Sequence, residues 1–410
     1  MKSSRARLSV LNRAALVVAP ALALQWPVLH LLFHPMGLPW EPLLPGIAIF
    51  ASAYLLSWAA EVAEADIPPA LALGLLALVA VAPEYAVDVY FAWKGGQDPS
   101  YIPFATANMT GANRLLIGMG WAMVVLVYGW KYGKREVKLD RRLRLETAVL
   151  FAGALYCLAI PLKGTLSLWD AVFLTGLFVF YFFRLLKSGA AEPAVEGPVA
   201  VIQRWPAPLR RAFTASFFIF SAVSIYLASH PFAEGLIEAG RRLGMDQFVL
   251  VQWLAPLASE SPEFIVAAIF ALKSRPTAGF NTILSSTVNQ WTLLIGMLPL
   301  VYTLSKGGIH PMALDGRQAR EIFLTSTQCL FGVVVLSNLR FSFREAVALF
   351  LLFITQSLYP LLEPWVGLPA ATVREAYAWL YLGLSLGTLV ASNRIRVDFR
   401  ELLGVFFRRR

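Results

Sequence analysis

The chain has 410 residues, 58% of them hydrophobic and only 15% charged, with a formal net charge of +10. Soluble domains carry about 25% charged residues, and apolar runs long enough to cross a bilayer recur along the whole length here. A soluble enzyme and a nucleic-acid-binding domain are therefore excluded, and the continuous runs do not fit the short alternating segments of a membrane β-barrel.

In chain order, twelve helical spans are predicted, at roughly 14–34, 43–63, 69–93, 101–129, 146–162, 167–186, 211–236, 247–272, 278–303, 320–338, 344–362 and 374–392. The first run contains Pro20 and Pro27, has no clear cleavage site and is too long for a signal peptide, so it reads as a membrane helix. Residues 1–42 form a basic arm and an extra N-terminal span, and residues 43–187 a first set of five helices. Residues 188–209, rich in Pro, Gly and Ala, read as a cytoplasmic linker. Residues 210–363 form a second set of five, and 364–410 an extra C-terminal span with a basic tail. Cys157 and Cys329 fall within apolar spans, which suits core packing with no disulfide framework.

The basic residues orient the spans. With an even number of spans, 26 of the 35 Lys and Arg lie on the side of the termini or at span ends facing it, 8 lie opposite in the same way, and Arg114 alone falls well within a span. This asymmetry is the positive-inside rule. It implies a multi-pass protein of the inner membrane of a prokaryote-like cell, with both termini cytoplasmic and the lipid bilayer as its main partner. No nucleic-acid partner is implied, and the oligomeric state is not encoded in any motif.

Two stretches match each other. AVAPEY at 80–85 and SESPEF at 259–264 each set a Pro-Glu pair in an apolar run. Glu84 precedes the LLIGM of 115–119 by 31 positions, and Glu263 precedes the LLIGM of 293–297 by 30. The two units begin five spans apart, so they insert in opposite directions. That is the inverted-repeat plan of secondary transporters, whose ion site lies at the membrane midplane.

The chemistry follows from the residue types. Proline removes a backbone donor and frees a carbonyl, and the glutamate beside it adds a negative charge. Two such sites offer hard oxygen ligands of the kind Ca²⁺ or Na⁺ takes. An unpaired buried carboxylate takes up a proton instead, so cation and proton compete. Intramembrane position and duplication make Glu84 and Glu263 the expected ligands. Glu260, three residues before Glu263, and Asp88, four after Glu84, are either further ligands or interface residues. Asn108, Asn113 and Asn289 either complete a coordination shell or bond neighbouring helices. Arg114 stays charged and needs a carboxylate, expected to be Glu84, Asp88 or Glu260, so that it acts as a fixed countercharge near the site.

These two units resemble the α-repeats of the Ca²⁺/cation antiporter superfamily, the sodium/calcium exchanger membrane region. The family pattern runs close to G-T-S-x-P-E, then G-N-x-x-G-S-N in the next helix. Pro83-Glu84 and Pro262-Glu263 match the first motif. ANMTGAN at 107–113 keeps Asn108, Gly111 and Asn113 of the second, while STVN at 286–289 keeps Asn289. The resemblance implies an all-α exchanger-like core of ten helices, here with one extra span at each end. It implies that Glu84 and Glu263 are the paired metal ligands, that Ser259 fills the hydroxyl slot four before its glutamate, and that Thr292 stands beside a sodium site. The sequence departs from the pattern at Ala80, Val81 and Ala112, at Glu260 in a hydroxyl slot, and at Arg114, which aligns with Thr292 through LLIGM. The resemblance implies a secondary antiporter, not an enzyme, that exchanges Ca²⁺ or Na⁺ against Na⁺ or H⁺ without a cofactor. The lost hydroxyls and added carboxylates tilt the reading toward protons. A sodium:proton exchanger, or a non-transporting relative neutralised by Arg114, stays open.

Overall fold

In lipid, backbone polar groups must be satisfied within their own segment, and the apolar runs accordingly fold as helices. The computed structural model describes residues 2–32, 39–63, 66, 82–187, 199–391 and 393–407. Short turns aside, its helices are α1 (Lys2–Leu32), α2 (Trp40–Ala63), α3 (Ala82–Gln97), α4 (Ile102–Leu115), α5 (Ala122–Tyr132), α6 (Arg144–Cys157), α7 (Leu168–Lys187), α8 (Ala207–Leu243), α9 (Gln247–Leu272), α10 (Pro276–Asn289), α11 (Ile295–Lys306), α12 (Gly316–Leu336), α13 (Phe343–Val366), α14 (Ala370–Ala391) and α15 (Asn393–Phe407). Among the described residues, eight helical spans are long and apolar enough to cross a membrane. Residues 69–81, the first part of the expected third span, lie outside the described residues.

The chain divides into two compact units that cut across the two repeats: Met1–Tyr90 with Leu185–Pro262, and Phe91–Arg184 with Glu263–Arg410. In the first unit α8 packs along α2, and Gly235 permits the approach, because a Cβ there would come within 2.8 Å of the Pro42 nitrogen. Buried Ala23, Leu55, Trp58, Val62, Val199 and Ile202 join α1, α2 and the end of the linker in one core. Small hydroxyls supply the polar glue: Ser52 Oγ donates to Ser224 Oγ at 2.9 Å, and Ser224 Oγ donates to the Ala23 carbonyl at 3.1 Å.

Arg210 closes this unit just past the end of α2. Its Nε and Nη2 each bond Asp66 at 2.7 Å, and its Nη1 donates to the Gln203 and Trp205 carbonyls. This bidentate guanidinium holds the Asp66 carboxyl down at about 2, against its ordinary 3.8. A carboxyl lowered on folding stabilises above its unfolded value and loses that contribution as the pH falls through the folded one. Melting temperatures measured between pH 4 and 2 should therefore depend less on pH in Asp66→Asn than in the wild type. Equal slopes would contradict this role for the bridge.

In the second unit the repeat is visible in the backbone. α4 and α10 are each 14 residues long with a proline in the first turn. Each passes through a π-helical turn, Leu116–Trp121 or Gln290–Leu294, at the LLIGM motif before continuing as α5 or α11. In the LLIGM register the first π turn begins at the second leucine of the motif and the second π turn ends there, and π turns frequently mark functional sites.

Two small antiparallel ribbons tie the loops of this unit. Glu136–Lys138 pairs with Arg340–Ser342, and Thr165–Leu166 with Met312–Ala313. Each ribbon joins loops that the charge pattern assigns to the same side of the membrane. The tail that the sequence reads only as basic is the helix α15, docked by an Arg144–Glu401 ion pair at 2.8 Å, by Arg184 donating to the Val405 carbonyl, and by Phe399 on Phe151. Cys157 and Cys329 are both buried free thiols.

Candidate cation site

The first unit holds a buried acidic group. Glu84 lies in the first turn of α3, directly after Pro83, and Asp88 lies one turn later on the same face. Ser259 and Glu260 sit midway along α9. Glu84 is 1% exposed, and Asp88 and Glu260 are fully buried. One carboxylate oxygen of Glu84 lies within 4.8 Å of one of Glu260. Ser259 Oγ donates to the Ala255 carbonyl at 3.2 Å, which leaves its lone pairs free to accept or ligate.

α9 contains two prolines and runs unbroken through both. Pro256 cannot donate to the Gln252 carbonyl, nor Pro262 to the Ala258 carbonyl. The Gln252 and Ala258 carbonyls therefore lack their usual helical backbone donors. Glu263, half-buried, follows Glu260 by three residues on this helix, which places both carboxylates on one helical face.

The second unit carries the amides. Asn108 and Asn113 are buried on α4, and the Oδ1 of each has no hydrogen-bond partner among the described residues. Asn113 Nδ2 donates to the Met109 carbonyl at 2.9 Å. Asn113 also lines a small cavity with Thr110, Cys157, Trp291 and Thr325. Asn289 ends α10 and is 3% exposed. Thr292 lies in the π turn, fully buried, with its Oγ1 donating to the Val288 carbonyl at 2.6 Å.

Arg114 has a partner that the sequence reading did not name. The sequence reading pairs it with Glu84, Asp88 or Glu260. The structure pairs its Nη2 with Glu321 of α12 at 2.9 Å, and the second oxygen of Glu321 accepts from Arg374 Nη1 of α14 at 2.8 Å. Arg114 and Glu321 are each 1% exposed. Sequence reasoning missed Glu321 and Arg374 because they stand at span ends: Arg374 was counted with the basic residues opposite the termini, and Glu321 was not weighed at all. One signal was available: Glu321, Thr325 and Gln328 recur at i, i+4 and i+7 and make one polar face on an apolar helix.

Pro-Glu pairs duplicated in the apolar helices of a polytopic protein point to a membrane carrier for cations. The chain belongs to the sodium/calcium exchanger protein family, which matches residues 44–187 and 213–362. It is 40% identical to the H⁺/Ca²⁺ exchanger CAX, whose crystal structure it matches with a TM-score of 0.89 over 96% of this chain and 98% of that one. YfkE shares the fold at 13% identity and TM-score 0.61, over 84% and 98% of the two chains. The sodium-calcium exchanger NCX_Mj shares it at 14% identity and TM-score 0.51, over 76% and 95%. No match is found among curated proteins. The all-α exchanger fold expected from the α-repeats is thus established, and the chain is a cation exchanger of this family.

Proposed function

We propose that this chain exchanges Ca²⁺ for protons across a cell membrane, with Glu84, Glu260 and Glu263 holding either the metal or the protons. The observation that carries this reading is the buried approach of Glu84 to Glu260. Two like charges so close in a medium of low dielectric cannot both stay ionised without a cation. A divalent ion satisfies both carboxylates at once, and in its absence protons do. Cargo and driving ion therefore exclude each other at the same oxygens, which is the requirement for antiport.

The departures from the sodium/calcium pattern point the same way. Glu260 stands in a hydroxyl slot, so this chain offers one more proton-binding oxygen pair there. The 40% identity to an H⁺/Ca²⁺ exchanger supports the same pairing of ions. Glu321 meets the charge of Arg114, which favours a working carrier over one silenced by an arginine in its site. Asp88, Ser259, Asn108, Asn113, Asn289 and Thr292 are proposed to complete the coordination shell or to hand over the cation, and both termini are proposed to be cytoplasmic.

Purified protein in sealed vesicles separates the ions. Ca²⁺ uptake should follow an imposed pH gradient and be indifferent to a Na⁺ gradient at fixed pH. Uptake that requires Na⁺ and ignores pH would overturn the proton assignment.

A further inference from the structure

Arg114 lies at the last turn of α4, the helix that carries Asn108 and Asn113, directly before the π turn. Its side chain bonds Glu321, and Glu321 bonds Arg374. Its carbonyl is held as well: Gln328 Nε2 of α12 donates to it at 3.1 Å, and Gln356 Nε2 of α13 donates to Gln328 Oε1 at 2.8 Å. Gln356 also reaches the Tyr381 hydroxyl of α14 at 3.4 Å. A single buried polar network therefore ties the end of α4 to α12, α13 and α14.

The matching register place of the other repeat is built differently. There Thr292 takes the register place of Arg114, and its hydroxyl bonds the carbonyl four residues back in its own helix. The hydroxyl at one register place bonds within its own helix, while the residue at the other is tied by side chains to a network of three helices. Buried charges with fixed partners are costly to assemble, so a purely space-filling role is more simply met by apolar side chains. Arg374 is the outermost member, and its helix, Ala370–Ala391, lies beyond the residues matched by the exchanger family.

We infer that Arg374, through Glu321, is a positioning residue for ion exchange: it fixes the first repeat's π turn in register, so that α14 is a working part of the transporter. The inference rests on the proposed cation exchange but not on which ion drives it. Groups that orient a metal's ligands typically change its affinity about 10–100-fold when removed.

The test is Ca²⁺ uptake into vesicles by Arg374→Ala, with the half-saturating Ca²⁺ concentration and the maximal rate measured separately. The expected result is a rise of about 10-fold or more in half-saturating Ca²⁺ with the maximal rate largely kept. Arg374→Lys, which can restore the single N–O contact to Glu321, should recover most of the affinity. Unchanged half-saturation in Arg374→Ala would overturn the inference, as would equal loss of rate and affinity that Arg374→Lys does not rescue. If Arg374→Ala is not recovered as monodisperse protein, Arg374→Met keeps the side-chain volume and is read in the same way. Glu84→Gln, run in parallel, keeps the two readings apart. Full transport by Glu84→Gln removes the site assignment itself, whereas a dead Glu84→Gln beside a normal Arg374→Ala removes only the role of α14.

Discussion

Replacing Glu84 by Gln is expected to lower Ca²⁺ transport by roughly two orders of magnitude, and Glu263→Gln to do the same. Affinity of oxygen sites for Ca²⁺ varies over several orders of magnitude with the number of ligand charges and the rigidity of the site. Gln keeps the volume and one carbonyl oxygen of Glu84 while removing its charge, so the loss reports charge and not packing. It also removes a proton-binding group, and so should abolish coupling together with binding. Equilibrium Ca²⁺ binding to the purified protein checks the first effect, and vesicle flux the second. Wild-type flux in either variant would remove these glutamates from the site. Glu260→Gln makes a graded comparison, because Glu260 sits against Glu84 yet stands where related repeats use a hydroxyl. It should weaken proton coupling more than it weakens Ca²⁺ binding.

The second large effect concerns stability. Glu321→Ala leaves the guanidiniums of Arg114 and Arg374 side by side in a buried setting, without the carboxylate that joins them. Breaking a buried ion pair by removing one partner costs about 3–5 kcal/mol. Thermal unfolding in detergent should show a large drop in melting temperature for Glu321→Ala. The double variant Glu321→Ala with Arg374→Ala should recover part of that loss, because one stranded charge is gone. Additive losses would show that the two side chains are not coupled. This differs from the transport defect expected of Arg374→Ala alone, where the Arg114–Glu321 pair survives.

Much of the architecture was legible in the sequence. Apolar runs of span length identify helices directly, because lipid permits almost nothing else. The paired Pro-Glu and LLIGM motifs identified the inverted repeat, and the structure shows a π turn that touches the LLIGM motif in each copy. No periodicity argument could have found the π turns themselves, since they arise from one extra residue in a helical turn. Glu84 and Glu263 stood out as a pair, because carboxylates in apolar runs are rare, while the sequence left Glu260 open between ligand and interface residue.

What the sequence hid was pairing over long distances. Arg114 is conspicuous, but its partner Glu321 lies 207 positions away at the edge of another span, where a charge passes for a loop residue. Arg374 was hidden for the same reason. The basic tail concealed a helix, because its apolar side is made by Phe399, Leu402 and Phe406, which only become one face once the segment coils. Charge at a span boundary is therefore ambiguous until the packing of neighbouring helices decides whether it meets water or another helix.

The central claim is that Ca²⁺ and protons exchange at the same carboxylates. Its most direct measurement follows both ions at once in vesicles holding the purified protein, with a Ca²⁺ indicator and a pH indicator trapped inside. Adding Ca²⁺ outside should start Ca²⁺ entry and proton exit together, and Glu84→Gln should abolish both. Ca²⁺ entry with no matching proton exit, or proton exit that persists in Glu84→Gln, would contradict the account.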